Sequence, residues 1–145
     1  SDLVTESAFG MPRRTAAGID YNRVNLLMAV LEKRCRLPLS RYDAYVNIAG
    51  GMRMNEPAVD LAAVIALISS FRDRAVEADT VIFGEVGLSG EVRAVPLAEY
   101  RIREAAKLGF TRCIMPKSNA EKCKAVDNIA CCGVSSIQEA MHLLF

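Results

Sequence analysis

The stretch AVDLAAVIALISSF, from Ala58 to Phe71, constrains this chain more than any other, because it is apolar on nearly every helical face. A surface helix carries one apolar stripe, whereas a helix that is apolar all round has to be buried on most sides. Pro57 precedes it, at a position where the first helical turn tolerates the missing N–H. The expectation is a central buried helix with the rest of the chain arranged around it. Its apolar run, Ala58 to Ile68, is interrupted by Asp60 and is too short to span a bilayer. Asp60 falls in the first turn, where the helix dipole favours a carboxylate; a buried polar contact at a subunit interface is the alternative role.

Covering such a helix takes a full core, and 145 residues are enough for one compact domain. Hydrophobic residues make up 52% of the chain and charged residues 24%, which suggests neither disorder nor a membrane protein. Ser1 to Asp20 holds no apolar run of signal-peptide length, so a cytoplasmic location is expected. Lys and Arg number 18 against 17 Asp and Glu, so any contact with nucleic acid has to come from a local patch. The five cysteines, Cys35, Cys113, Cys123, Cys131 and Cys132, contain no C-x-x-C pair and read as reduced thiols, mostly core fillers, with no metal site. The one histidine, His142, lies in an amphipathic C-terminal segment and reads as structural.

Pattern divides the chain near residue 20. Residues 1–19 hold turn-formers and few periodic apolar residues, and read as an extended linker and short strand carried over from a preceding domain; residues 20–145 form the domain itself. Asp20 is placed to cap a helix carrying Val24, Leu26, Leu27, Val30 and Leu31 at helical spacing, with Lys33, Arg34 and Arg36 at its negative end. Tyr42 to Ile48 alternates as a strand ending at Gly50 and Gly51. After the central helix, Val81 to Phe83 and Val92 to Val95 read as strands of a hairpin turning at Leu88 to Glu91. Leu97 to Leu108 is an amphipathic helix closed by Gly109, and Cys113 to Met115 a short strand. Ser118 to Glu121 has the form of a capping box. Ile129 to Cys132 and Ser135 to Leu144 repeat the strand-then-helix order, with Ser135 and Gln138 in capping-box register. The fold class is α/β (α+β).

Few constellations carry chemistry. Gly84, Gly87 and Gly90 of FGEVGLSGE lead into a second strand rather than a helix N-terminus, so they mark a closely packed hairpin and not a phosphate loop. No Walker A sequence occurs, and this chain alone is not expected to hydrolyse ATP. Among the serines, Ser69 and Ser70 end the buried helix, while Ser118 and Ser135 read as caps, which leaves no serine with an evident base.

Three stretches together resemble one family: PRRTAAGIDYNRVNLLMAVLEKR, YVNIAGGMRMNEPAVDLAAVIALISSFRDR and VIFGEVGLSGEVRAVPLAEYRIREAAKLGFTRCIMPK. In order and spacing they are similar to the C-terminal, Lon-protease-like domain of bacterial RadA DNA-repair proteins. The likeness covers about Phe9 to Lys117; the last thirty residues match only in their strand-helix pattern. It implies a Lon proteolytic-domain-like fold, with a mixed sheet and packed helices. In Lon proteases a serine opens the buried helix and a lysine on a later helix activates it. The resemblance puts Ala58 at the nucleophile position and Glu99 at that of the lysine. An alanine has no hydroxyl, and a carboxylate does not replace an amine as general base, so no catalytic residue is expected.

The same resemblance implies what surrounds the domain. RadA proteins carry a zinc finger and a RecA-like ATPase ahead of it, so ATP, Mg and Zn belong to those upstream parts and no cofactor is expected here. They assemble as homo-hexameric rings and help to process branched recombination intermediates. The expected partners are therefore other copies of the chain, single-stranded or branched DNA, and a recombinase as a further candidate, with no membrane. Arg13 and Arg14, in an extended segment, and Arg23 and Arg53, in the family stretches, are the candidate phosphate contacts. For Arg23 the competing role is to brace its helix against Asp20 or Glu56. Lys33, Arg34, Arg36, Arg72 and Arg74 read as helix-end charges. The expected function is a non-catalytic oligomerisation and DNA-contacting domain; the rivals are a pure hexamerisation scaffold and a Ser-Lys peptidase with a relocated nucleophile.

Overall fold

A computed structural model describes residues 21–35 and 56–145. The expected linker over residues 1–19, the Asp20 cap, Arg36, the strand Tyr42–Ile48 and Gly50–Gly51 lie outside the described residues. The first helix, Tyr21–Val30 (α1), runs into a π-helical turn over Leu31–Cys35. Leu27, Met28, Val30 and Leu31 are buried along it, in the helical spacing that the sequence carries.

The all-apolar stretch forms a central helix. Pro57–Val59 makes a 3₁₀ turn that continues into the α-helix Asp60–Arg72 (α2). Leu61, Ala63, Val64, Ile65, Leu67 and Ile68 are all buried, a set too dense for one stripe and therefore packed on several faces. The helix stops at Asp73, whose left-handed backbone (φ 53°) lets its N–H donate to the carbonyls of Ser69 and Ser70.

The remaining elements follow as Thr80–Ile82 (β1), Glu85–Val86 (β2), Val92–Arg93 (β3), Ala98–Lys107 (α3), Arg112–Pro116 (β4), Lys117–Lys122 (α4), Ala130–Val134 (β5) and Ile137–Leu144 (α5). β1, β4 and β5 form a parallel sheet in the order β1-β4-β5, and β2 and β3 an antiparallel ribbon that pairs Val86 with Val92. The architecture is α/β with packed helices, and the described strands form a three-stranded parallel sheet and a two-stranded antiparallel one. β4 is buried on both sides. Its Ile114 faces a core with Leu27, Leu31, Leu61, Ile65, Ile68, Val134 and Ile137, while Cys113 and Met115 face a second core with Ala58, Phe83, Val95, Ala98 and Ile102.

Local signals held at most ends and failed at two. The turn forms where expected, with Gly87 N–H donating to the Glu91 carbonyl, but the hairpin is not made by the expected first strand. The Val81–Phe83 segment forms β1 over Thr80–Ile82 and pairs in parallel with β4, the strand breaks at Gly84, and Glu85–Val86 pairs with a second strand that ends at Arg93 instead of Val95. α3 buries Ala98, Ile102 and Ala105 on one face, and Gly109 follows it at φ 95°. The capping box read at Ser118–Glu121 does not form: α4 starts after Pro116 with no side-chain cap, and Asn119 instead bonds both backbone groups of Val95. The second box lies one residue later than expected. Ser136 is the N-cap of α5, accepting from Glu139 N–H, and the Glu139 carboxylate accepts from Ser135 N–H.

Ile65, at 1% exposure, projects from α2 as part of the first core. Ile65→Ala is expected to lower stability by about 2–5 kcal/mol, read from the shift of the urea unfolding midpoint at unchanged slope.

Candidate functional site

The opening of α2 is the position to which the Lon resemblance assigns a nucleophile, and the local structure there is built from backbone. Ala58 sits in the 3₁₀ turn at 4% exposure. Its carbonyl accepts a hydrogen bond from Gly84 N–H (2.9 Å), and the Gly84 carbonyl accepts from Leu61 N–H (3.0 Å). The loop between β1 and β2 is thereby clipped to the first turn of the helix. Gly84 can fill this place because it has no side chain: at φ 154° a Cβ would stand 3.0 Å from Val92 Cγ1 and 3.3 Å from Pro116 Cγ.

Two residues along, Asp60 is completely buried. Arg23, in the first turn of α1, holds it with a two-pronged contact: Nε donates to Oδ1 (2.6 Å) and Nη2 to Oδ2. Val86 N–H on β2 also donates to Oδ2 (3.0 Å), and Glu85 Oε2 lies 3.5 Å from Arg23 Nη2. Arg23 thus joins α1, α2 and the hairpin. Burial pushes the Asp60 carboxyl above its ordinary range, while the guanidinium and the Val86 amide pull the other way. The Asp60 carboxylate raises the pKa of Arg23 in turn. The dipole reading of Asp60 was incomplete, since a dipole alone does not account for a carboxylate with no exposed surface. Among the described residues Arg23 pairs with Asp60 and Glu85, and Glu56 pairs with Arg101 instead of Arg23; Asp20, the other expected brace, lies outside them. Asp60 was visible as the one interruption of the apolar run. Arg23 and Glu85 stand far from it in sequence, and no spacing rule links them.

Glu99, at the position that the resemblance gives to the lysine, lies in the first turn of α3, which opens at Leu97 in a left-handed conformation (φ 61°). Its carboxylate accepts from Arg103 (2.6 Å) and from Lys124 N–H (3.3 Å). Its neighbour Ala98 shares the second core with Ala58. This region therefore holds a methyl group and an ion-paired carboxylate. Arg13, Arg14 and Arg53 lie outside the described residues, and Arg23 is bound to internal carboxylates.

The thiols gather on the parallel sheet, where Cys113 on β4 stands in register with Cys131 on β5. Burial, and then the neighbouring Cys131, push the Cys113 thiol far above its usual range. Cys131 is exposed on β5 and so is not the core filler expected of it. Among the described residues, no group of His, Cys, Asp or Glu is arranged to hold a metal ion, and no helix is long and apolar enough to cross a membrane. The sequence has no Walker A phosphate loop.

Comparison with known proteins adds a family. The model described as Subunit ChlI of Mg-chelatase matches residues 9–119. The protein named DNA repair protein RadA in Bacillus subtilis is 51% identical over 140 residues, covering 97% of this chain and 31% of that protein. The protein of the same name in Halalkalibacterium halodurans is 48% identical over 141 residues, with the same coverage of both. That of a Synechocystis species is 53% identical over 115 residues, covering 79% of the chain and 23% of the relative. The chain thus spans about a third of the length of the curated relatives it matches, 31% in the first two.

Two outcomes follow from this geometry. Asp60→Ala removes the buried carboxylate that accepts from Arg23 and from Val86 N–H, and is expected to cost about 3–5 kcal/mol in urea unfolding; adding Arg23→Met should restore part of that loss. On brief alkylation with iodoacetamide at mildly alkaline pH, peptide mass mapping should find Cys131 modified and Cys113 untouched until the chain is unfolded.

Proposed function

The chain belongs to the family that the Subunit ChlI of Mg-chelatase model describes and, within it, to a segment of DNA repair proteins of the RadA type, and on that premise we propose that it is a non-catalytic, Lon-protease-like domain that holds copies together and contacts DNA. The observation that carries the reading is the opening of α2. The helix start is fully built, clipped to Gly84 and anchored through Asp60, while the side chain at the nucleophile position is a buried methyl group. Glu99 supports it from the other side: a carboxylate ion-paired to Arg103 offers no amine to activate a hydroxyl.

A domain whose helix opening is intact and whose nucleophile is absent retains its surfaces. In this reading the remaining two-thirds of the relatives' length supplies the ATP-dependent chemistry of a cytoplasmic repair machine. This segment supplies ring contacts between copies and a path for single-stranded or branched DNA, with Arg13, Arg14 and Arg53 among the phosphate contacts. A scaffold without DNA contact is the second reading, favoured by a net charge of only +1.

Sedimentation velocity of the chain, alone and with a fluorescent forked DNA, at low and moderate salt, tests both. The expected result is a ring-sized species that carries DNA at low salt and releases it as salt rises, because counterion release weakens phosphate contacts. Arg13→Ala with Arg14→Ala should weaken that binding. A ring that ignores DNA leaves the scaffold alone, and cleavage of a denatured protein substrate that is lost on changing one serine would overturn the non-catalytic assignment.

A further inference from the structure

We propose that Cys113 and Cys131 form a reversible dithiol switch, in which Cys131 reacts with a low-molecular-weight disulfide from solution and Cys113 then closes an internal disulfide between β4 and β5.

Strand register sets the two thiols side by side. Cys113 on β4 stands opposite Cys131 on β5 in the parallel sheet, so their side chains leave the same face. Alternation along β5 agrees: Cys132, the next residue, packs against the first core, on the other face from the second core that holds Cys113. Neighbouring strands lie about 4.8 Å apart, within the range of Cα separations that a disulfide spans. The thiols differ in access, since Cys113 has no exposed surface and Cys131 is exposed. A reagent in solution therefore meets Cys131 first.

A buried cysteine is an ordinary small core residue, and that accounts for Cys113. It does not account for Cys131, an exposed cysteine placed beside a buried one in the adjoining strand. Burial pushes both thiols up, and a hydrogen bond between them then favours the thiolate at Cys131 and the thiol at Cys113. Cys123, which also borders the second core, is less suited to the role. It follows α4 and lies outside the sheet, and its thiol is raised by burial and by the Glu99 carboxylate.

The chemistry is two successive thiol–disulfide exchanges. In the first, the Cys131 thiolate attacks one sulfur of the small disulfide; a mixed disulfide forms and one half of the reagent leaves as its thiolate. In the second, the Cys113 sulfur, having given up its proton, attacks the Cys131 sulfur and displaces the other half. Two protein thiols are oxidised, one small disulfide is reduced, and the two protons end on the two released thiols. Burial of Cys113 makes the second exchange the slow one. Side chains that leave a sheet in parallel keep their Cβ atoms near the strand spacing, wider than the relaxed disulfide value of about 3.8 Å, so the bond is strained and readily reduced. While closed, it pins β4, the strand shared by both cores, to β5.

The test incubates the 145-residue chain with glutathione disulfide, blocks the remaining thiols with iodoacetamide, and maps linked tryptic peptides without reduction. The expected product joins Cys113 to Cys131 within one chain, with Cys132 alkylated, and it disappears when excess reduced glutathione is added. Cys131→Ser should reduce its yield to background, whereas Cys123→Ser should leave it intact. Position 131 is exposed, so serine there leaves the core packing as it is. A link from Cys131 to any other cysteine, a link between two chains, a mixed disulfide at Cys131 that never passes to Cys113, or no reaction would each overturn the proposal. So would a Cys113–Cys131 bond that reduced glutathione cannot reopen.

Discussion

A carboxylate with no exposed surface, Asp60, stands in the first turn of the most apolar helix of the chain, and the described fold is arranged around what that charge requires. Left alone, a buried carboxylate would lose several kcal/mol of hydration. Its two oxygens are met by the fork of Arg23 and by Val86 N–H. Each donor comes from a different element, so three segments are fixed at one point. α1 has to begin where α2 begins, and β2 has to pass across the start of both. The pair therefore acts on register more than on net stability, since a buried ion pair seldom exceeds a well-packed apolar replacement in stability.

The neighbouring junction is organised by backbone and does not depend on the side chain at position 58. Ala58 and Leu61 are tied to Gly84 through carbonyl and amide groups alone, and the loop is held close because Gly84 has no Cβ. The residue at position 58 has to be small enough to be buried there, and nothing else in the junction uses its side chain. Removing a hydroxyl from such a place costs the fold little, because the hydrogen bonds that organise the helix start belong to the backbone. The same holds at Glu99, whose carboxylate finds Arg103 one turn along and the Lys124 amide across the loop. The carboxylate there forms a surface ion pair.

How much of this was legible in the sequence depended on the range of the interaction involved. The central helix and the α3 stripe are periodic signals carried within a dozen residues, and each appeared in place, whereas the strand expected to open the hairpin pairs with β4 because strand partners are chosen over a longer range. Capping was less secure, because Ser135 and Ser136 are adjacent and either suits the pattern; the choice fell on the one whose hydroxyl faces Glu139 N–H. At Ser118 the pattern matched and the structure did not follow it, since Asn119 was drawn instead to the backbone of Val95 on the hairpin side. The partners of Asp60 could not be read at all. Arg23 lies thirty-seven positions before it, and nothing in local pattern distinguishes that arginine from one left in solvent.

Bulk charge misleads here for a related reason. A net charge of +1 suggests a surface indifferent to nucleic acid, yet the cations are not equivalent. Those of the hairpin and α3 stand close to acids of their own neighbourhood: Arg93 by Glu91, Arg103 by Glu99 and Lys107 by Glu104. Such pairs cancel at short range and add little to the field a few ångströms out. Charge that an approaching anion can use is therefore what remains after local pairing, and among the described residues Lys33, Arg34, Arg72, Arg74, Lys117, Lys122 and Lys124 are exposed and stand outside the ion pairs. Net charge counts Arg23, whose charge is spent on Asp60 inside the fold, on the same footing as these.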